Sequence, residues 1–365
     1  MKNILFYISG HGYGHATRCI EIIKKLSTQS DSFFCHIKTN APEWLFNLNL
    51  RHNFQIHYFF NDVGLIQQDW LTVDKKATLA ACSELWQDKA MIVARELDFI
   101  EKSAIEIIVG DIPPIAFEIA AAAGIPGLAL GNFCWDWIYR PYLQEYPEYS
   151  AVVTATQEAY GKGTLLLRLP FAGDMSAFKQ IIDVPLVGRQ AQLRVTDVRK
   201  SLPITLNPSE KLVLIALRKN DRARINLQNI QKIKNTHFLA FDKKLRQEAN
   251  ITWLPTDLMP FQELVNAVDL VVSKLGYGIV SECIINQTPL MFTDRYDFIE
   301  HDVLKQGLEK NGTAWYLPLN DYVAGNWEAS LQQVWQASPH WPEIAVNGAE
   351  VVVSHIKRYL GREEE

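Results

Sequence analysis

The chain has 365 residues, of which 48% are hydrophobic and 21% charged, with a formal net charge of −5. That length exceeds one comfortable hydrophobic core and predicts two domains of α/β class. The negative balance excludes broad nucleic-acid binding, which needs a basic surface to neutralise phosphates, but leaves room for a local diphosphate pocket.

Ile4–Ile8 predicts a buried parallel strand that ends in glycines, and Thr17–Leu26 a helix with Ile20, Ile23 and Leu26 at helical spacing. Strand, glycine turn and helix form the opening of a doubly wound domain. Phe33–Lys38 and Phe54–Phe60 follow as strands, and Lys75–Lys102 as one long helical stretch. Ile105–Val109 is a strand closed by Gly110-Asp111, Ile115–Ala123 a helix stopped by Gly124, and Gly127–Leu130 another strand. Such alternation predicts a parallel sheet, because parallel strands need crossover helices. Periodicity is weak from Pro170 to Pro208, which places an interdomain linker near 195–208. Lys211–Leu217, His237–Phe241, Ile251–Leu254, Leu270–Ser273 and Pro289–Thr293 then read as strands, with helices over Leu258–Ala267, Ser281–Asn286 and Val351–Leu360. The expected domains are 1–195 and 209–345, with a C-terminal helix in 346–365 packing back on the first. Ile4–Ile8 is too short for a signal-peptide core, and no run reaches the ~18 apolar residues of a membrane helix. Cys19, Cys35, Cys82, Cys134 and Cys283 lack paired spacing and read as reduced thiols of a cytoplasmic protein.

Two glycine loops carry the chemistry. Ser9-Gly10-His11-Gly12-Tyr13-Gly14-His15-Ala16-Thr17-Arg18 lies at a strand-to-helix turn. Glycines there let a ligand approach the backbone, and the following helix offers free N–H groups to an anion. A histidine near its ~6.5 reference pKa can act as a general base, so His11 and His15 compete for that role. Both could instead hydrogen-bond locally. Asp111, at the end of another parallel strand, either orients a histidine or caps the turn before Pro113-Pro114. A third metal ligand is not apparent beside His11 and His15, so no metal site is expected.

The second loop is Ser273-Lys274-Leu275-Gly276-Tyr277-Gly278-Ile279-Val280-Ser281-Glu282. It offers a second anion site, with Lys274 adding a point charge and Glu282 an acceptor for ribose hydroxyls. The plainer alternative is a solvated lysine and a glutamate that complements the helix dipole. After the next strand come Asp294, Arg295, Asp297, Glu300 and His301, polar residues able to reach sugar hydroxyls or to form a charged loop.

Together these loops resemble those of GT-B-fold glycosyltransferases, in which two Rossmann-like doubly wound domains face one cleft. The C-terminal half is similar to the nucleotide-sugar domain of the lipid II-type N-acetylglucosaminyltransferase. More narrowly, Gly10–Arg18, Lys274–Glu282 and Arg295–Glu300 are similar to the GT-B-like N-terminal half of plant-type arabinokinases. The kinase half is expected to be absent, since no phosphate-loop motif follows before Glu365.

The resemblance implies a glycosyltransferase that uses a nucleotide-diphosphate sugar, hexosyl or N-acetylhexosaminyl, with inversion and without metal or other cofactor. It implies Glu282 at the ribose and Gly12, Gly14, Ser273, Lys274, Gly276, Tyr277, Gly278, Ser281, Asp297 and Glu300 on the donor side. His15 with Asp111 would deprotonate an unknown acceptor, with His11 as competitor. One departure is Leu214–Leu217, which runs into Arg218-Lys219-Asn220-Asp221-Arg222 without a glycine turn: either Arg218 or Arg222 binds phosphate by side chain instead, or the donor is altered, or the domain binds without transferring. Trp135, Trp137 and Tyr139 suit an acceptor sugar face, or else fill a core. A peripheral membrane contact is left open. The alternative functions are a nucleotide-sugar epimerase or hydrolase and a non-catalytic sugar-nucleotide-binding protein.

Overall fold

The computed structural model describes residues 1–29, 32–68, 72–217, 219–311, 313–341 and 343–361. Two compact units divide it: Met1–Gly188 with Asp297–Val303 and Ala345–Glu365, and Arg189–Tyr296 with Leu304–Ile344.

The first unit holds β1 (Lys2–Ile8), β2 (Phe33–Thr39), β3 (Phe54–Tyr58), β4 (Ile105–Asp111), β5 (Gly127–Gly131), β6 (Leu165–Arg168) and β7 (Ile181–Asp183). They form one sheet in the order β3-β2-β1-β4-β5-β6-β7, parallel throughout. Ile4–Ile8 and Ile107–Ile108 are almost wholly buried, as strands covered on both faces must be. Leu5, Tyr7, Ile108 and Ile119 belong to one apolar cluster, and Phe117, Trp135, Tyr139, Tyr160 and Phe178 to another.

The second unit repeats the plan with β8 (Lys211–Ile215), β9 (Thr236–Asp242), β10 (Arg246–Glu248), β11 (Ile251–Pro255), β12 (Leu270–Lys274), β13 (Leu290–Thr293) and β14 (Ala314–Tyr316). Their order is β10-β11-β9-β8-β12-β13-β14, with β10 antiparallel on the edge. In each sheet the strand order reverses beside the first strand, between β1 and β4 and between β8 and β12. Ligands of doubly wound sheets bind at such switch points, beyond the carboxyl ends of the strands.

Several sequence expectations need correction. The stretch 75–102 is two helices, Lys75–Gln87 and Lys89–Lys102, which meet at Asp88. The presumed linker 195–208 contains the helix Val195–Ser201 and lies inside the second unit. That unit begins earlier because its own side chains hold residues 189–193. Arg189 pairs with Glu282 at 2.6 Å, Ala191 N–H donates to Asn286 Oδ1, and the N–H groups of Gln192 and Leu193 donate to Glu263.

Residues 297–303, expected with the second domain, belong to the first unit. Phe298 is buried in that unit's core, edge-on to Phe133, and Ile299 and Val303 pack against the same cluster. The helix Gly348–Tyr359 also lies in the first unit, where it packs on the helix Tyr13–Gln29 with Lys25 Nζ 2.6 Å from Glu350 Oε1. No helix among the described residues is long and apolar enough to cross a membrane, and all five cysteines are buried and unbridged.

Candidate functional site

In the first unit the helix after β1 begins at Tyr13, one turn before the predicted Thr17, because Gly12 at φ 103° lets the chain swing directly into it. His15 and Arg18 therefore sit a helical turn apart and face the end of β4. There Asp111, fully buried, lies 2.8 Å through Oδ1 from His15 Nδ1. Arg18 donates from Nε and Nη2 to both Asp111 oxygens, and Cys19 Sγ approaches Oδ2 at 3.2 Å. Burial by itself would raise the Asp111 pKa, but the charges of Arg18 and His15 outweigh it and hold the group at about 2. Asp111 is thus an ionised partner of His15. His15 Nε2 has no hydrogen-bond partner among the described residues.

His11 stands differently. Its ring lies over Gly64, whose φ of +65° suits glycine and where an added Cβ would come within 2.4 Å of the imidazole. Leu65 N–H donates to His11 Nδ1 at 3.3 Å, and the ring meets Trp135 edge-on. In the neutral imidazole this contact puts the proton on Nε2, which makes that nitrogen a donor rather than a base.

The rings expected to contact acceptor are core residues. Trp135 is 1% exposed, Tyr139 2% and Trp137 9%. Trp135 stacks on Tyr139 and donates from Nε1 to Asp62, while the Tyr139 hydroxyl donates to the Gly64 carbonyl. A large aromatic with its polar tip satisfied gains more from burial than from a sugar-facing position. Asp297 and Glu300 are likewise held in the first unit. Lys75 pairs with the Asp297 carboxylate at 3.2 Å, the Tyr142 hydroxyl donates to the Asp297 carbonyl, and Glu300 accepts from Asn132 at 2.8 Å.

In the second unit the helix Tyr277–Ile285 starts directly after Gly276, four residues before the predicted Ser281. A Cβ added at Gly276 would meet nothing within 4 Å, so the helix N-terminus opens onto free space. Ser273 donates its hydroxyl to the Ala216 carbonyl of the neighbouring strand end, and Ser281 caps back onto the Gly278 carbonyl. Tyr277 is buried. Lys274 Nζ lies 3.0 Å from Asp221 Oδ1, so this lysine is paired rather than solvated. Arg222 stacks over Trp253 with its guanidinium carbon 4.3 Å from the ring centroid and donates to the Phe241 carbonyl. Arg218 lies outside the described residues.

Glu282 is 2% exposed. Arg189 binds its Oε1, while Oε2 is buried without a hydrogen-bond partner among the described residues. Burial raises the Glu282 pKa and Arg189 offsets part of that rise. A buried carboxylate oxygen with no donor calls for an explanation, since nearly all buried acceptors are paired.

Sequence reasoning missed Arg189, Asp221 and the role of Asn132. A buried acid demands a cation nearby, which signals that partners exist but not where along the chain they lie.

The glycosyl transferase family 1 model matches residues 2–303 of the chain. The L-arabinokinase of Arabidopsis thaliana is 30% identical over 365 residues, covering 97% of this chain and 34% of that protein, so the chain spans about a third of its length. Among solved structures, the calicheamicin glycosyltransferase CalG4 aligns over the whole of both chains at 12% identity with a TM-score of 0.63. Phytolacca americana UGT2, complexed with UDP-2-fluoro-glucose and pterostilbene, aligns over 91% of this chain and 90% of its own, at 12% identity and a TM-score of 0.58. S. aureus MnaA in its UDP co-structure aligns over 100% and 98%, at 13% identity and a TM-score of 0.58. These structural likenesses concern the fold, two Rossmann-like α/β units of the GT-B type. With a family match across most of its length, the chain belongs to glycosyl transferase family 1.

Proposed function

We propose that the chain transfers a sugar from a nucleotide-diphosphate sugar to an acceptor hydroxyl, with His15 as general base and inversion at the anomeric carbon. The observation that carries this reading is the contact of His15 Nδ1 with buried Asp111 at the switch point of the first sheet. With Nδ1–H given to Asp111, Nε2 holds a lone pair for the acceptor proton. The acceptor oxygen then bonds the anomeric carbon as the bond from that carbon to the diphosphate breaks. The departing diphosphate takes the electron pair; within the second unit, the open N-terminus of the helix Tyr277–Ile285 offers N–H groups suited to an anion. The proposed displacement is metal-independent.

Glu282 Oε2 supports a ribose contact, since a vicinal diol supplies donors to a carboxylate oxygen that otherwise has none. UDP-2-fluoro-glucose and UDP in two similar structures support a uridine diphosphate sugar as the donor; that the transferred group is hexosyl or N-acetylhexosaminyl is part of the same proposal. His11 is set aside as base because Leu65 N–H occupies its Nδ1.

The test is His15→Ala against His11→Ala, assayed for transfer from a panel of nucleotide sugars and, by calorimetry, for donor binding. His15→Ala should lower transfer by ~100-fold or more at unchanged donor affinity. Transfer that survives His15→Ala and fails in His11→Ala would reverse the assignment. Absence of donor binding across the panel would sink the transferase reading. Product analysis separates transfer from epimerisation and hydrolysis.

A further inference from the structure

The His15–Asp111 pair does not end at Asp111. Arg18 grips both carboxylate oxygens and passes Nη1 to Asn132 Oδ1 at 3.1 Å. Asn132 in turn donates Nδ2 to Glu300 Oε1 at 2.8 Å. The side chains are buried throughout: His15 7% exposed, Arg18 2%, Asp111 and Asn132 0%, Glu300 4%. Each amide or guanidinium face is used in a fixed sense. Because Glu300 takes the Asn132 amide nitrogen, the amide oxygen must face Arg18, and Arg18 is drawn toward Asp111 and Asn132.

That placement matters because Arg18 Nη2 also lies 3.0 Å from His15 Nδ1. Arg18 could donate to Nδ1, which would force the His15 proton onto Nε2. Alternatively, His15 can donate from Nδ1 to Asp111, which leaves Nε2 basic. The two contacts exclude one another. Charge enters the same choice. With His15 neutral, Asp111, Arg18 and Glu300 sum to one negative charge, and a proton on His15 makes the set neutral.

We propose that Arg18, Asn132 and Glu300 are positioning residues that extend the His15–Asp111 pair into one buried relay, in which Glu300 offsets Arg18 so that His15 can accept a proton. The relay rests on the reading of His15 as base, and it gives Glu300, expected at the donor sugar, a role within the first unit. The groups that face His15 are Asp111 on β4, Arg18 on its own helix, the Phe133 ring after β5, and Asp62 after β3. Asp62 adds to the negative side of the balance and donates nothing to it.

The experiment is an NMR titration of the His15 imidazole in the full chain, run beside the pH profile of transfer. Glu300→Gln keeps a hydrogen-bond acceptor for Asn132 but removes the charge, and should lower the His15 midpoint by roughly one pH unit, the order of effect of losing one negative charge from a buried network at an effective dielectric constant of about 20. Glu300→Asp should restore it. Arg18→Gln removes a cation in contact with His15 and should raise the midpoint by one unit or more. A role confined to holding the fold would not move the midpoint in opposite directions for these two variants.

An unmoved midpoint in Glu300→Gln, or a rise, overturns the relay. If Arg18→Gln fails to fold, Glu300→Gln and its Asp rescue decide the matter alone. A midpoint that moves while the acid limb of transfer stays put supports the relay and overturns His15 as the base. The two failures are therefore distinguishable.

Discussion

Removal of the Glu282 carboxylate separates binding from stability in a measurable way. Oε1 accepts from Arg189 at 2.6 Å, and Oε2 is buried with no partner among the described residues. If a ribose hydroxyl donates to Oε2, Glu282→Ala deletes a charge-assisted hydrogen bond worth about 1.5–3 kcal/mol, or about 10- to 150-fold in Kd. The same change strips Arg189 of its counter-charge inside the second unit, where it is 3% exposed. Breaking a buried pair from one side costs about 3–5 kcal/mol, whereas replacing both partners by apolar residues is often neutral. The expected pattern is that Glu282→Ala and Arg189→Met each lower stability by several kcal/mol, and Glu282→Leu combined with Arg189→Met recovers most of it.

Donor affinity should not recover in that double variant, because no acceptor returns. Calorimetry with uridine diphosphate sugars reads the affinity, and urea unfolding followed by tryptophan fluorescence reads the stability. Glu282→Gln, which keeps the side-chain shape and a single acceptor oxygen, serves as the isosteric comparison. Unchanged Kd in a folded Glu282→Ala, or full affinity in the double variant, would refute the assignment of Oε2 to the donor.

Other perturbations have equally specific outcomes. Trp135→Ala should cost about 3–5 kcal/mol by opening the core around Tyr139 and removing one hydrogen-bond partner of Asp62, and in the fraction that stays folded it should leave acceptor KM within a few-fold. A large, selective rise in acceptor KM would instead restore Trp135 to the acceptor. The His36 pKa is pushed from its ordinary 6.5 down to about 4 by burial, by His57 stacked on it and by the Lys38 charge. The unfolded chain takes up that proton below pH 6.5 and the folded chain only near pH 4, so stability is lost as pH falls across that window. In His36→Phe the loss between pH 6.5 and 4 should be shallower in urea midpoints, and an unchanged slope would show that His36 does not contribute.

Much of the architecture was legible before the structure. Ile4–Ile8, Ile105–Val109, Ile115–Ala123 and Leu270–Ser273 read correctly because doubly buried strands are continuous apolar runs and helices repeat near 3.6 residues. β7, β10 and β14 were not legible. Each has three residues, too few to show a period, and each gains its partner only when the sheet assembles. The pairing of His15 with Asp111 was open to inference because both lie at strand ends beside one switch point. For Trp135, Trp137 and Tyr139 composition left both sugar platform and core open, with core the commoner fate of large aromatics, and all three are buried.

Sequence by itself determined the two α/β halves and the glycine turns, since each follows from apolar periodicity or local backbone freedom, and left His11, His15 and Asp111 as candidates. Tertiary structure decided everything that depends on a distant partner. It joined Arg189 to Glu282 across 93 positions, Asp221 to Lys274, and Asn132 to Glu300 across 168 positions. It also assigned residues 297–303 to the first unit, where Phe298 finds an apolar core. A buried charge or ring is stable only with its complement, and that complement is selected by three-dimensional proximity, which sequence spacing does not encode.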